Sequence, residues 1–433
     1  MQHVLSVNCV FTKGEKEDIM KKLIGVVLMI TMLLSLAACG GSGAVNLSQG
    51  NTVSDDYEPG EVPEKGDEVN TDFALKLFKA CYDEKEDVLV SPFSVMYALA
   101  MTVNGAKNNT LKQMEDVLGM SCDELNAYLK SYMENLPSDE NCKLKPANSI
   151  WFTANKSFTV NEDFLKRNAS CYKADIYEAP FDGSTLKEIN NWVKKKTDGM
   201  IPEILEDISK DAVMYLVNAL AFEAEWGEVY NEDQIHKAEF NNVDGTKTTT
   251  DFMYSEEGAY LENEKATGLL KYYKGGKYAF AALLPKEGVT IDELVQSLNG
   301  KELHEMLANP EYTEVYAAIP KFEKEYGTEL SNVLKGMGMT DAFDGGKADF
   351  TGLGISETNN IYISRVIHKT FISVAEKGTK AGAATVVEMA EGAAMFEEEP
   401  KVVTLDRPFV YMLVDCENDT PFFIGSLMGM NEG

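Results

Sequence analysis

The chain has 433 residues, of which 44% are apolar, and its formal net charge is −30 at pH 7. This length and apolar content are sufficient for a sizeable hydrophobic core and, taken alone, fit two or three domains. The negative charge argues against a nucleic-acid partner, because binding to phosphates depends on Lys and Arg. It fits an exported soluble protein and would favour encounters with a basic partner.

Residues 20–38 have the pattern of an export signal. Met20-Lys21-Lys22 precedes an apolar run, Leu23 to Leu34, that is too short for the ~20 apolar residues of a membrane-spanning helix. The order Leu36-Ala37-Ala38-Cys39 then resembles a bacterial lipobox. We therefore expect Cys39 to become the lipid-bearing first residue of a membrane-anchored chain. An ordinary signal peptide, cut elsewhere, is the alternative.

The segments on either side of this signal are predicted to lack a folded core. Residues 1–19 lie upstream of a suitable start at Met20, and we interpret them as a start-site artefact. Residues 39–70 are rich in Gly, Ser, Asp, Glu and Pro and poor in apolar residues, so they should not bury enough surface to fold. We expect a flexible acidic tether there, followed by a folded domain over 71–433.

Local patterns predict helices mainly in the first half of the chain. Ser94, just after Ser91-Pro92, is interpreted as the N-cap of a helix that ends at Gly105. Further helices are predicted from Thr110 to Gly119, from Thr185 to Lys195, and after the capping-box pair Thr290 and Glu293.

Strand-like apolar runs dominate the second half. They are Tyr215–Phe222, Tyr278–Leu284, Tyr316–Phe322, Ile361–Val374, Phe409–Val414 and Phe422–Leu427. Helices early and strands late indicate the α+β class.

The residue types that conventional catalysis or metal binding needs are sparse. The four histidines have no metal-ligand spacing, and no GxSxG elbow is present. Five cysteines in the predicted domain have no CxxC pair and are expected to be mostly free thiols, with one incidental disulfide as the alternative. We therefore expect neither an enzyme nor a bound metal or cofactor.

The most informative segment lies about 50 residues from the C-terminus and consists mostly of small residues. In an extended conformation one of its faces would carry only uncharged side chains: Thr379, Ala381, Ala383, Thr385, Val387 and Met389. Such a segment could stay outside as a loop and later enter a sheet without burying a charge or a bulky ring.

This segment resembles the hinge of the serpins. The hinge pattern is present here as Glu376, Lys377, Gly378, Thr379, Lys380, Ala381, Gly382, Ala383, Ala384 and Thr385, in which Gly382 is a mild departure. Other serpin-like motifs follow in family order over roughly residues 71–433: Ser91-Pro92-Phe93-Ser94-Val95, Ala147-Asn148-Ser149-Ile150-Trp151, Asn190-Asn191-Trp192-Val193, Leu216-Val217-Asn218-Ala219, Pro320-Lys321-Phe322, His368-Lys369, Arg407-Pro408-Phe409 and Phe422-Phe423-Ile424-Gly425.

The resemblance implies one large α+β domain with the serpin fold, which has three β-sheets and about nine helices. It also implies an exposed reactive-centre loop over about 376–402. A protease would attack this loop and form a covalent acyl-enzyme, and the cleaved loop would then insert from Thr379 onward as a new central strand. By the family's loop length the scissile bond is Gly392-Ala393, with cleavage after Ala393, Met395 or Met389 as alternatives.

The resemblance also assigns positions around the point of insertion. Glu376 and Lys321 match an ion pair at the top of the sheet, and Trp226 matches a core residue beside the entry point. A polar cluster that gates sheet opening is matched by Ser91, Ser94, Asn218 and His368.

The expected partner is a serine protease held in a covalent complex. No Arg or Lys lies between Ala381 and Pro400, so elastase-like or subtilisin-like enzymes are favoured over trypsin-like ones. A cysteine-protease target and a non-inhibitory carrier lipoprotein are the alternatives. We expect a monomer at the cell surface, anchored through Cys39 or released extracellularly.

Overall fold

Helices form at most of the places where capping and apolar periodicity predict them. The computed structural model describes residues 43–48, 57–136, 142–154, 158–209, 212, 214–356, 360–379 and 399–430. These ranges contain nine α-helices: α1 (Gly66–Cys81), α2 (Pro92–Val103), α3 (Asn108–Leu118), α4 (Cys122–Asn135), α5 (Glu162–Tyr172), α6 (Gly183–Lys196), α7 (Ile291–Ser297), α8 (Gly300–Ala308) and α9 (Ser331–Met337). The capping box predicted at Thr290 and Glu293 begins α7.

The strands of the described residues form three large sheets and one small pair. The central sheet has the order β1 (Val45–Asn46), β5 (Asp175–Ala179), β3 (Cys142–Thr153), β6 (Met214–Glu225), β16 (Gly378–Thr379), β15 (Arg365–Ala375) and β13 (Phe322–Glu329). The six-stranded sheet has the order β2 (Val88–Val90), β19 (Thr420–Leu427), β18 (Phe409–Asp415), β11 (Tyr278–Pro285), β10 (Ala266–Tyr272) and β9 (Ala259–Glu262). The four-stranded sheet has the order β17 (Lys401–Thr404), β12 (Val315–Pro320), β8 (Lys247–Glu257) and β7 (Ile235–Asn241), and β14 (Gly354–Ser356) pairs with β4 (Phe158–Val160). The predicted α+β class and the three large sheets are confirmed.

The core lies on both faces of the six-stranded sheet. Its strands β11, β18 and β19 are buried at every position, as expected for strands covered on both sides. One face packs against α2, which is itself buried along its whole length. The other face packs against α1, α7 and α8.

The two middle strands of the central sheet, β6 and β15, pair directly at one end and are separated at the other. Residues Arg365–Lys369 of β15 pair in parallel with Tyr215–Ala219 of β6. Further along the same strands, Gly378 and Thr379 of β16 lie between β6 and β15 and pair with both. The sheet therefore already holds the first residues of an additional central strand.

The N-cap prediction for Ser94 is wrong. Helix α2 begins at Pro92, its N-cap is Ser91, and Ser94 lies fully buried in the first turn. Proline is favoured at the first helical position because its fixed φ suits the helix and its missing N–H would have no partner there. Ser91-Pro92 was therefore the stronger start signal.

The predicted strand Tyr316–Phe322 is two strands in two sheets. β12 ends at Pro320 and belongs to the four-stranded sheet, while β13 begins at Phe322 and belongs to the central sheet. Between them, Lys321 N–H donates to the Asp251 carbonyl. The apolar run continues through this change of sheet because both strands face the core.

Part of the predicted tether is structured. Val45 and Asn46 pair with Glu178 and Tyr177 at the edge of the central sheet, and α1 already begins at Gly66. An edge strand forms through backbone hydrogen bonds, so a low apolar content did not prevent it. The ordered region thus begins before residue 71.

No helix among the described residues is long and apolar enough to cross a membrane.

Candidate functional site

The hinge enters the central sheet through a two-residue turn. Ala375 at the end of β15 pairs with Gly378, which leaves Glu376 and Lys377 as the turn. On its other side β16 pairs with β6, so that Thr379 lies opposite Ala224. The sequence analysis placed the hinge outside the sheet until cleavage, whereas its residues Gly378 and Thr379 are already inserted.

Gly378 is required by both its backbone angle and its surroundings. Its φ of 146° lies in a region that residues with a side chain rarely adopt. A Cβ at this position would lie 2.1 Å from the Ala224 carbonyl oxygen. Only glycine therefore lets the chain turn and enter between β6 and β15 at this point.

Three N–H groups hold the carbonyls of the turn. The indole N–H of Trp226 donates to Ala375 O at 2.8 Å, and its backbone N–H donates to Lys377 O at 3.0 Å. Tyr230 N–H donates to Glu376 O at 2.9 Å. The carbonyls of this tight turn are thus satisfied by protein donors, which fixes the turn against the end of β6.

Thr379 is buried behind the turn. Only 2% of its surface is exposed, and its hydroxyl is hydrogen-bonded to the Tyr273 hydroxyl. The Tyr273 ring stacks on Trp226, with centroids 4.4 Å apart and planes 8° apart. Burial raises the pKa of Tyr273 well above its usual range, so its hydroxyl remains protonated. A charged side chain in place of Thr379 would have to be buried at this position, which costs free energy.

The ion-pair residues assigned by resemblance are in contact. Lys321 Nζ lies 2.8 Å from Glu376 Oε2. The hydrogen bond from Lys321 lowers the pKa of Glu376, so the carboxylate is charged at neutral pH. This pair links the turn to the junction between β12 and β13.

Ser91 and His368 form a buried contact where β6 and β15 are still paired. Ser91 N–H donates to His368 Nε2 at 3.0 Å, and Ser91 Oγ donates to the Phe422 carbonyl at 2.9 Å. His368 is 1% exposed, and burial lowers its pKa to about 4. It is therefore neutral at pH 7, with its proton on Nδ1, because Nε2 accepts a hydrogen bond.

For Ser94 and Asn218, the other two residues assigned to this gate, the structure gives the backbone position. Ser94 lies within α2, one turn from Ser91. Asn218 lies opposite His368 in the register of β6 and β15, but its side chain is outside the described part of the molecule. Several predicted residues also lie outside it: the lipid anchor Cys39, the hinge residues Lys380, Ala381, Gly382, Ala383, Ala384 and Thr385, and the scissile-bond candidates Gly392, Ala393, Met395 and Met389.

Sequence reasoning missed a buried ion pair beside the turn. Lys271 is 2% exposed, and its Nζ lies 2.7 Å from Glu257 Oε1 and 4.5 Å from the centre of the Tyr230 ring. Burial lowers the pKa of Lys271, but Glu257 and Tyr230 raise it by more, so the net shift is upward. The sequence did contain a signal for this pair, because Lys271 lies inside the apolar strand β10 and a buried lysine needs an acidic partner.

In the described ranges, no group of three or more His, Cys, Asp and Glu side chains is arranged to hold a metal ion. Among the described residues, Cys81, Cys122, Cys142, Cys171 and Cys416 form no disulfide, and the last of these lies in the turn after β18.

Comparison with known proteins defines the class. The family model described as Serpin (serine protease inhibitor) matches residues 68–430. The chain belongs to the serpin family, as its hinge and motifs predicted. An uncharacterised serpin-like protein of Thermococcus kodakarensis is 32% identical over 368 residues, covering 83% of this chain and 85% of that protein. Human leukocyte elastase inhibitor is 30% identical over 378 residues, covering 82% and 97%.

Solved structures agree with the fold. The native state of tengpin, a thermophilic serpin, is 45% identical and matches with a TM-score of 0.83, covering 90% of this chain and 100% of tengpin. The latent state of the same protein gives a TM-score of 0.76. The chain therefore has the serpin fold, and its overall arrangement is more similar to the native than to the latent form.

Proposed function

We propose that this serpin is a suicide-substrate inhibitor of serine proteases with elastase-like or subtilisin-like specificity, and not an enzyme. The observation that carries the proposal is the position of Gly378 and Thr379 between β6 and β15. Insertion has a defined starting point, and after Lys380 the residues that follow in the sequence, Ala381 to Thr385, are small. After a protease forms an acyl-enzyme on the loop, extension of β16 would carry the enzyme away before water releases it.

The driving force is the completion of the central sheet. At a net gain of about 1 kcal/mol per hydrogen bond, roughly ten new ladder bonds give on the order of 10 kcal/mol. The parallel pairing of Arg365–Lys369 with β6 must break first. This pairing, with the Ser91–His368 contact beneath it, would keep the intact form metastable until cleavage. Loop insertion is the known conformational switch of the family.

A covalent complex is the direct test. The purified protein is mixed with pancreatic or neutrophil elastase and analysed on denaturing gels, with intact mass of the released C-terminal fragment. The proposal predicts a band that resists SDS, and the fragment mass identifies the scissile bond among Gly392-Ala393 and its alternatives. If the protein is cleaved without forming such a band, both with elastase and in a second experiment with subtilisin, the result would support a non-inhibitory serpin. A band formed only with a cysteine protease would change the target class.

Variants at Thr379 test whether insertion causes trapping. In Thr379→Arg the guanidinium would have to enter the buried site beside Tyr273, which should slow insertion so that the acyl-enzyme is hydrolysed before the protease is trapped. We expect this variant to be cleaved at the same bond without forming the covalent band. Thr379→Ser keeps the hydroxyl and should still trap. If both variants trap the protease equally well, the side chain at position 379 does not control insertion.

We also propose, from the sequence alone, that Cys39 carries a lipid anchor on an exported chain. Expression of the full chain in a bacterium should place it in the detergent phase of a membrane extract. Cys39→Ser should move it to the aqueous phase or block processing. An unchanged distribution would favour an ordinary signal peptide.

A further inference from the structure

The three hydrogen bonds that hold the hinge turn come from two aromatic residues on one short segment. Trp226 and Tyr230 follow the end of β6, and their N–H groups bind the carbonyls of Ala375, Glu376 and Lys377. The positions of these two residues therefore decide whether the turn stays closed and whether β16 stays between β6 and β15. Contacts that fix Trp226 and Tyr230 also fix the point at which insertion starts.

The ammonium group of Lys271 lies against both of these rings. Its Nζ atom is 4.5 Å from the centre of the Tyr230 ring and 5.4 Å from the centre of the Trp226 ring. At such distances the face of an aromatic ring attracts a cation. Lys271 belongs to β10 of the six-stranded sheet, so one side chain connects that sheet to both residues that hold the turn.

A second set of contacts fixes the ammonium group and the Tyr230 hydroxyl. Glu257, the last residue of β8, accepts a hydrogen bond from Lys271 Nζ at 2.7 Å. Ser255 Oγ donates to the same carboxylate at 2.6 Å and lies 3.1 Å from the Tyr230 hydroxyl. Because β8 belongs to the four-stranded sheet, these contacts join the four-stranded and six-stranded sheets to the end of β6.

The charge of Lys271 is an expensive way to fill this position. Lys271 is 2% exposed, and it is the one buried Lys or Arg among the residues that the structure describes. Removing an ammonium and a carboxylate from water is costly, and apolar residues of similar volume often replace such a pair without loss of stability. A buried ion pair can, however, specify the conformation of its neighbours. Here those neighbours are the donors of the hinge turn.

We propose that the Lys271–Glu257 pair positions Trp226 and Tyr230 so that their N–H groups keep the first two residues of β16 inserted. The consequence for trapping rests on the proposed inhibitory function. In that function, insertion must be faster than hydrolysis of the acyl-enzyme. A strand that has already begun is extended sooner, because the entropy of ordering its first residues has already been lost. The pair should therefore raise the fraction of protease that is trapped.

Hydrogen exchange of the intact protein tests the positioning role without any protease. Lys271→Met/Glu257→Gln removes both charges, keeps similar side-chain volumes, and leaves an amide that can still bind Ser255. We expect the backbone amides of Trp226 and Tyr230 to exchange about 10-fold faster in this variant, because their rings lose the ammonium group.

A second Lys–Glu pair provides the matched control. Lys286 Nζ lies 2.7 Å from Glu262 Oε1, between the end of β9 and the residue after β11. Lys286→Met/Glu262→Gln makes the same two replacements away from the turn and should leave both amides as protected as in the wild type.

Two conservative variants separate the position of the cation from its charge. Lys271→Arg keeps a cation at the rings, and the open cavity of about 600 Å³ that Lys271 lines gives the longer side chain room. It should retain wild-type protection. Glu257→Asp keeps both charges but shortens the carboxylate side chain by one methylene, which should draw the ammonium away from the rings. It should give a smaller rise in exchange than the double variant.

The same proteins mixed with neutrophil elastase test the consequence for trapping. Lys271→Met/Glu257→Gln should give less covalent complex and more cleaved, uncomplexed inhibitor than the wild type. This ratio reports the competition after the loop is attacked, so it does not depend on the rate of attack. The control double variant should give the wild-type ratio.

The outcomes distinguish this proposal from the inhibitory function. Unchanged exchange in Lys271→Met/Glu257→Gln, shown to be folded by thermal unfolding, would overturn the positioning role even if trapping is intact. Faster exchange with an unchanged ratio would overturn the link to trapping. A wild type that forms no covalent complex would overturn the inhibitory function, and exchange would still decide the positioning role. If the double variant does not fold, Glu257→Asp carries the comparison, and unchanged exchange there overturns the proposal.

Discussion

The paired hydroxyls of Thr379 and Tyr273 show what sequence reasoning can and cannot find at the level of a residue. Thr379 was selected because a small uncharged residue must lead the insertion. Tyr273 lies 106 positions away, and no local pattern connects it to the hinge. Its role becomes visible only when the turn after β10 is placed against Trp226.

A double-mutant cycle tests this contact. Thr379→Val leaves the Tyr273 hydroxyl buried without its partner, which should cost about 1–3 kcal/mol of unfolding free energy. Tyr273→Phe should cost a similar amount for the same reason. The double variant removes both polar groups and should be less destabilised than the sum. Chemical unfolding of the four proteins measures the coupling, and strict additivity would show that the hydroxyls do not interact.

The buried His368 predicts a pH dependence of stability. Burial lowers its pKa to about 4, compared with about 6.5 for an exposed histidine. Between these values the unfolded chain binds a proton that the folded chain does not. Stability is therefore complete above about pH 6.5 and falls as the pH drops toward 4, by up to about 3 kcal/mol.

Comparison with a variant isolates this contribution. The loss of stability between about pH 7 and pH 4.5 should be smaller in His368→Gln than in the wild type, because glutamine does not titrate there. Urea unfolding of both proteins at several pH values supplies the measurement. Parallel pH profiles would mean that His368 binds a proton equally well in the folded and unfolded states.

At the level of an element, β16 depends on Gly378. Gly378→Ala should expel the strand, because the new Cβ would meet the Ala224 carbonyl and a φ of 146° is strained for alanine. The amides of Trp226 and Tyr230, which bind the turn carbonyls, should then exchange about 10-fold faster with solvent or more.

A matched glycine provides the control for this strand. Gly183, at the start of α6, has open space around its Cβ position, so Gly183→Ala should leave the two amides as protected as in the wild type. Unchanged protection in Gly378→Ala would mean that β16 tolerates a side chain at this point and that the hinge does not need glycine.

Element boundaries were predictable where the signals are local. The capping box at Thr290 begins α7 as expected, because the Thr290 and Glu293 side chains satisfy nearby backbone groups. The run Tyr316–Phe322 was misread because a period-two pattern does not reveal which sheet a strand joins. The two inserted residues of β16 were also not predictable, since Gly378 and Thr379 have the same local preferences inside and outside the sheet. Their position is decided by β6 and β15.

For the whole molecule, the order of the predicted helices and strands indicated the α+β class, but the single large domain and the gate came from the family resemblance. Ser91 and His368 are 277 positions apart, and only the complete fold brings them into contact. The structured segment Val45–Asn46 was not predicted because it pairs with β5 through backbone groups. Such pairing does not require a particular amino-acid composition. Contacts between distant parts of the chain, and backbone pairing in particular, are thus the features of this fold that could not be predicted from the sequence.

The central claim is that the cleaved loop becomes a full strand between β6 and β15. Thermal unfolding before and after cleavage of the loop tests it most directly. A gain on the order of 10 kcal/mol from new ladder bonds predicts a rise in Tm of roughly 10–20 °C. Cleaved Thr379→Arg, as the control, should rise less. If the intact and cleaved proteins unfold at the same temperature, the loop does not insert, and the account of this serpin as a trapping inhibitor is wrong.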